Sequence, residues 1–170
     1  MVTTGWVPPL FAVAGVGIGV LYWGFDSIGL GSKDESSFRT WPRTVLSIST
    51  FVSLYYISGL LSAMHLAHST IFEVLSALAV AQVTVFDASL TGLIVASMLA
   101  VFGPGVECIL MTYLPDGSSY AYLDVDTFGL FPAWIAPVYA AGGPAVGGLA
   151  RQFFGRERER ERERRRVQSE

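Results

Sequence analysis

Hydrophobic residues in this chain come in long, nearly uncharged blocks. Five blocks are long enough to cross a membrane as helices. They run from about Trp6 to Phe25, Val45 to Met64, Ser69 to Phe86, Leu90 to Leu114 and Phe128 to Leu149. At 1.5 Å rise per residue, about 20 residues cross a hydrocarbon core of about 30 Å. Only a helix or a closed barrel satisfies its backbone in lipid, so these blocks predict an all-α, polytopic transmembrane bundle of about five spans filling residues 1–150. A charged cytosolic tail follows, over residues 151–170.

The joins are short and polar. Residues 26–44 are rich in Ser and Gly, residues 65–68 and 87–89 are tight turns, and residues 115–127 carry Asp116, Asp124 and Asp126. Charge then orients the bundle. The chain has eleven Lys and Arg residues: Lys33, Arg39 and Arg43 in the first join, and eight from Arg151 to Arg166. Counting back from a cytosolic C-terminus puts all of them on one side, as the positive-inside rule requires. An odd number of spans then places the N-terminus lumenal or external.

Composition sharpens this picture without changing it. The chain of 170 residues is 52% hydrophobic and 15% charged, and much of that charge is the alternating Arg/Glu tract from Arg156 to Arg166. That tract has unlike charges at i,i+3 and like charges at i,i+4, which predicts a solvated, partly disordered tail. The one cysteine, Cys108, excludes an internal disulfide and a cysteine metal site. No Lys or Arg precedes the first apolar block, and Pro8-Pro9 lies within it, which argues against a cleaved signal peptide.

Several residues are candidates for chemistry. Gly15-Val16-Gly17-Ile18-Gly19 and Gly143-Pro144-Ala145-Val146-Gly147 hold small residues four apart, which let helices approach closely, within one chain or between copies in a homo-oligomer. Gly103-Pro104-Gly105 predicts a kink or break in the fourth span. Glu107 beside Cys108 is an intramembrane carboxylate, either bonded to backbone freed by the kink or functional. Glu73, His65 and His68 stand near one turn, where a solvated surface competes with a zinc site. Glu107 or Glu73 would suit a small intramembrane lipid-modifying enzyme, which with a structural packing subunit is the alternative to a regulator. Asp87 precedes Leu90 and reads as a cap for the next helix.

Four segments, taken in order, resemble the Insig (insulin-induced gene) family. They are Gly5-Trp6-Val7-Pro8-Pro9 with Gly19-Val20-Leu21-Tyr22 and Asp26; Thr84-Val85-Phe86-Asp87 with Ser89 and Gly92; Trp134-Ile135-Ala136-Pro137; and Gly142-Gly143-Pro144-Ala145-Val146-Gly147 with Arg151-Gln152. The resemblance implies a helical bundle of the endoplasmic reticulum membrane that binds sterol or another lipid and regulates a sterol-sensing membrane protein, without catalysis. It implies no cofactor, no metal and no nucleic acid. A family phenylalanine lining the sterol pocket falls on Phe51. A family glutamine of that pocket has no match, and Thr70 stands about there. The family aspartate important for binding the partner falls on Asp87. The Trp6 helix matches the family's second span of six, so the resemblance covers the last five. The family's pattern departs at Gly148, at Ala150 and around Glu107. A mostly apolar pocket accommodates a related lipid with a different polar head.

Overall fold

The computed structural model describes residue 5, residues 7–31, 40–113 and 122, and residues 125–168, of which 156–168 by backbone only. It is all-helical. The helices are α1 (Val7–Ser27), α2 (Trp41–Ala63), α3 (His68–Phe86), α4 (Leu90–Tyr113) and α5 (Ile135–Gln168). Trp6, Lys33, Arg39, Asp116 and Asp124 lie outside the described residues.

Four helices, α1 to α4, are long and apolar enough to span a membrane. They bury little of themselves, 11% of the best window in α1 and 22% in each of the others, so most of their surface is left for lipid. Val13, Val16, Val52, Val80, Val101 and Phe102 all point outward. Thr44, Ser47, Gln82, Asp87, Glu107 and Arg151 are buried instead. A soluble protein of this size would not invert its polarity in this way.

The fifth span behaves differently, for a physical reason. Its sequence is dominated by Ala, Gly and Pro, and it is not among the strongly apolar spans. It packs against all four other helices and so meets protein where they meet lipid. Ile135, Val138, Ala141, Ala145 and Ala150 are buried along it. Small residues supply the clearance for close packing. A Cβ built on Gly147 would lie 2.2 Å from the Tyr22 ring, one on Gly143 3.5 Å from the Ala96 backbone, and one on Gly148 3.5 Å from Thr44. Gly103 on α4 does the same for Tyr139 of α5, at 2.4 Å. The main apolar core lies where α2, α3 and α5 meet, around Leu54, Ile71, Leu75, Trp134 and Val138.

Three expectations need correction. The fifth helix starts at Ile135, later than the expected Phe128. Residues 127–131 form a tight turn instead, with Phe128 and Gly129 both at positive φ, 54° and 70°, and Pro132 follows. The two positive φ values match the backbone of a type I′ turn. The second correction is at the other end, where α5 continues to Gln168 in place of an irregular tail. Arg and Glu are good helix formers, and the helix is already nucleated within the bundle. At 34 residues it is about 51 Å long, well beyond one hydrocarbon thickness. The third concerns the break that Pro104 could have made, since α4 runs as one helix through it. Pro104 is buried, and packed neighbours let a membrane helix tolerate proline.

Aromatic pairs mark where α5 leaves the bundle. Trp23 of α1 meets Phe154 at 6.4 Å between ring centroids, and Trp41 of α2 meets Phe153 at 6.3 Å. Tryptophan favours the membrane–water interface, which sets residues 151–154 at that depth.

The opposite end is held by Asp126. Its Oδ1 accepts the Ala133 N–H at 2.7 Å and the Thr127 hydroxyl at 2.8 Å, while Oδ2 lies 2.8 Å from His68 Nδ1. Burial works to raise the Asp126 pKa, but the bonds from Ala133, Thr127 and His68 outweigh it and hold the carboxyl below its ordinary value. A depressed carboxylate stabilises the fold above its ordinary pKa of about 4 and loses that contribution as pH falls through the folded value. Thermal stability in detergent is expected to fall with acid below about pH 4, and Asp126→Asn should reduce that dependence. Gly147→Ala should cost about 1–3 kcal/mol by overpacking against Tyr22, whereas Gly15→Ala, which meets open space, should be neutral. Comparing the two variants' unfolding temperatures checks this.

Candidate functional site

The motifs that are far apart in the chain meet at one place. Tyr22 and Asp26 come from the last turns of α1, Asp87 and Ser89 from the α3–α4 corner, Gly92 from the first turn of α4, and Arg151 from α5. Up-and-down connectivity brings all of these ends to the same boundary.

Arg151 is the centre. Its Nε donates to Asp26 Oδ2 at 2.7 Å, and its Nη2 to Asp26 Oδ1 at 3.0 Å. This is the two-bond fork that guanidinium geometry favours. Nη1 pairs with Asp87 Oδ1 at 2.9 Å, and Nη2 also reaches Ser89 Oγ at 3.1 Å. The Tyr22 ring covers the guanidinium at 5.0 Å, a cation–π distance. The side chains are 8% exposed for Arg151, 5% for Asp26 and 2% for Asp87. One cation therefore sits between two carboxylates, almost out of contact with solvent.

The corner is built around the same atoms. Ser89 Oγ donates to Asp87 Oδ1 at 2.5 Å and accepts the Gly92 N–H at 3.0 Å. With Arg151, this uses the hydroxyl's one donor and both acceptor positions. Ser89 is thus the N-cap of α4, a role the sequence suggested for Asp87. Asp87 itself ends α3 and supports the cap from behind, accepting the Ser89 N–H at 3.3 Å. A Cβ on Gly92 would lie 2.4 Å from the Asp87 carboxyl, so glycine there admits the carboxylate. Leu30 O accepts the Thr91 N–H at 3.2 Å and ties the end of α1 to the same turn. Arg43 donates to Val85 O, one of the last carbonyls of α3. A polar layer extends inward, where Gln82 Nε2 donates to Ser47 O at 2.9 Å and Gln152 Nε2 to Thr44 Oγ1 at 3.4 Å.

The other candidates are dispersed. Phe51 is half-buried on α2 against the main core, and its ring would lie 3.4 Å from a Cβ on Gly142. Thr70 is exposed in the first turn of α3. In an antiparallel hairpin Phe51 pairs in depth with a residue about ten positions beyond Thr70, so the two differ by about 15 Å in level. Glu73 is exposed, while Glu107 is buried at 5%. Glu107 Oε2 accepts the Tyr122 hydroxyl at 2.8 Å, and Oε1 accepts that of Tyr139. Both oxygens are engaged, which closes α4 onto α5. His68 faces Asp126, and among the described residues no three His, Cys, Asp or Glu side chains group to hold a metal.

Asp26 and Arg151 were not singled out by chemistry in the sequence. Their signal lay in the resemblance, whose motif segments contain both of them. No family model matches the chain, and no solved structure matches it. Among curated proteins, the insulin-induced gene 1 protein of Gallus gallus is 28% identical over 147 residues, 86% of this chain and 55% of that protein. The chain is a distant homologue of that protein. It spans about half the length of this relative. The homology joins what the fold shows, an Insig-like integral membrane chain with four strongly apolar spans and a fifth, central helix.

Removing Arg151 leaves two buried carboxylates unpaired. Arg151→Met is expected to cost about 3–5 kcal/mol, the scale for breaking a buried ion pair from one side. Asp87→Asn leaves the Asp26 fork intact and should cost about 1–2 kcal/mol, the scale of one charge-assisted hydrogen bond. Unfolding temperatures in detergent should rank accordingly; equal losses would contradict the arrangement.

Proposed function

We propose that this chain is an Insig-like regulator of the endoplasmic reticulum membrane, which binds a sterol or another lipid within its bundle and controls a membrane partner in sterol or lipid homeostasis. The observation that carries the reading is the convergence of the motif residues Tyr22, Asp26, Asp87, Ser89, Gly92 and Arg151 on one ion cluster, together with the distant homology to insulin-induced gene 1 protein. Residues from three of the four segments that resemble the family thus have a shared physical reason to stand together.

The lipid site belongs beside Phe51, where an aromatic ring packs on the small residues of α5. Thr70 offers a hydroxyl near the far membrane boundary, suited to a polar headgroup at a different depth from the ring. Asp87 sets the α3–α4 corner that a membrane partner binds. Lipid occupancy would bias partner binding by its differential affinity for two states of the bundle. The reading is non-catalytic. Glu107 has both oxygens occupied by tyrosines and Glu73 faces outward, so the two make no acid–base pair.

Photo-crosslinking with sterol and glycerolipid probes tests the ligand. One class should label the folded protein near Phe51, and Phe51→Ala should reduce labelling several-fold. Labelling by neither class, with the protein monodisperse, would sink the ligand reading.

A further inference from the structure

We propose that the recess where α1 ends against α5 binds the primary ammonium of an ethanolamine phospholipid from the adjoining leaflet. The site is separate from the lipid position beside Phe51 and does not depend on it. Tyr22, Trp23 and Asp26 of α1 line the recess with Arg151, Phe154 and Gly155 of α5. It opens onto a cluster with excess negative charge. Among the described residues, Asp26 and Asp87 share the one guanidinium of Arg151, so the cluster is one cation short of neutrality. Nε, Nη1 and Nη2 of Arg151 are already bonded to those carboxylates, which leaves it poorly placed to take a phosphate. Each Asp26 oxygen accepts one bond from Arg151 and keeps a second lone pair for another donor. The C-terminus of α1 adds to this. A helix C-terminus favours a cation, and the last turn of α1 carries no basic residue of its own.

Rings, size and depth narrow the ligand further. Trp23 and Phe154 meet beside the recess at 6.4 Å between centroids and 44° between planes, so a cation lodged between them is within cation–π reach of both. The free volume of the recess, about 10 Å³, suits one water-sized group. A primary ammonium is of that size, while a trimethylammonium carries three methyl groups more. The tryptophan also sets the recess at the membrane–water boundary, where lipid headgroups lie. A soluble amine would have to be held by the recess alone. A lipid amine is already confined to that depth, which raises its effective concentration there. The source is therefore the lipid, and the selected headgroup is ethanolamine over choline.

Native mass spectrometry of the full chain in detergent tests this, with titrations of phosphatidylethanolamine, its N,N-dimethyl derivative, phosphatidylcholine and phosphatidylglycerol of the same acyl chains. The first three share one charge pattern and differ in the size and N–H count of the ammonium. Phosphatidylethanolamine should bind at least about fivefold tighter than phosphatidylcholine, with the dimethyl lipid between them and phosphatidylglycerol no tighter than phosphatidylcholine. Trp23→Leu and Phe154→Leu leave the ion cluster intact. Each should lower the affinity for phosphatidylethanolamine about threefold, the scale of one cation–π contact, without changing that for phosphatidylcholine. Asp26→Asn should abolish the preference; if it does not fold, by unfolding temperature, the two ring variants decide. Equal affinities for the ethanolamine and choline lipids would overturn the proposal. Tighter binding of phosphatidylglycerol would overturn it too, making Arg151 the recogniser of a phosphate. A preference that survives both ring variants would put the headgroup elsewhere. Ethylammonium chloride binding as tightly as the lipid would make this a site for soluble amines and overturn the lipid assignment.

Discussion

The guanidinium of Arg151 is the constraint on which the rest of this bundle depends. A charge is costly to place in a packed membrane protein unless it is paired and hydrogen-bonded. Here four contacts run from the guanidinium to two carboxylates and a hydroxyl, with an aromatic ring over the plane. Those partners come from α1 and the α3–α4 corner, so satisfying one side chain of α5 ties three parts of the chain together at once. Lipid provides no hydrophobic drive between helices, since lipid tails are as apolar as leucine. Close packing and polar contacts must do the holding. The small residues of α5 supply the first and the Arg151 cluster supplies the second.

This explains why the least apolar span is the central one. Gly143, Gly147 and Gly148 give α5 no lipid-seeking surface, but they let α1, α2 and α4 approach it closely. The opposite end carries a smaller version of the same logic. Glu107 joins α4 to Tyr139 of α5 and to Tyr122 of the connection before it, and Asp126 anchors the turn before α5 to His68. The central helix is therefore pinned by polar contacts near both boundaries, with apolar packing between them. Beyond Gly155 it continues as one helix to Gln168.

Much of the fold was legible in the sequence, because hydropathy reports where lipid must be met. The first four spans lie within a few residues of their expected ends, and the charge asymmetry agrees with the end at which Arg43 and Arg151 stand. The late start of α5 was not legible, since Phe128, Leu130 and Phe131 look like the opening of a span but are used in a turn. The tail was misjudged because charge alternation says little about a helix that is already nucleated. The site was half legible. Asp26, Asp87, Gly92 and Arg151 all fell in segments that resemble the family, but by chemistry alone Asp26 read as the first residue of a loop and Arg151 as the first of a tail. Only the folded bundle places them opposite each other. Ser89 shows the limit of local rules, since the stronger-looking cap two residues earlier was occupied by a tertiary contact.

The most direct measurement is hydrogen–deuterium exchange at the α3–α4 corner, in the purified chain and in Arg151→Gln. The Ser89, Thr91 and Gly92 amides are bonded to Asp87, Leu30 and Ser89 in the intact cluster. They should exchange slowly in the native chain and lose most of that protection in the variant, while amides in the middle of α3 and α5 stay protected. Equal protection of the corner in both proteins would contradict the claim that Arg151 holds it.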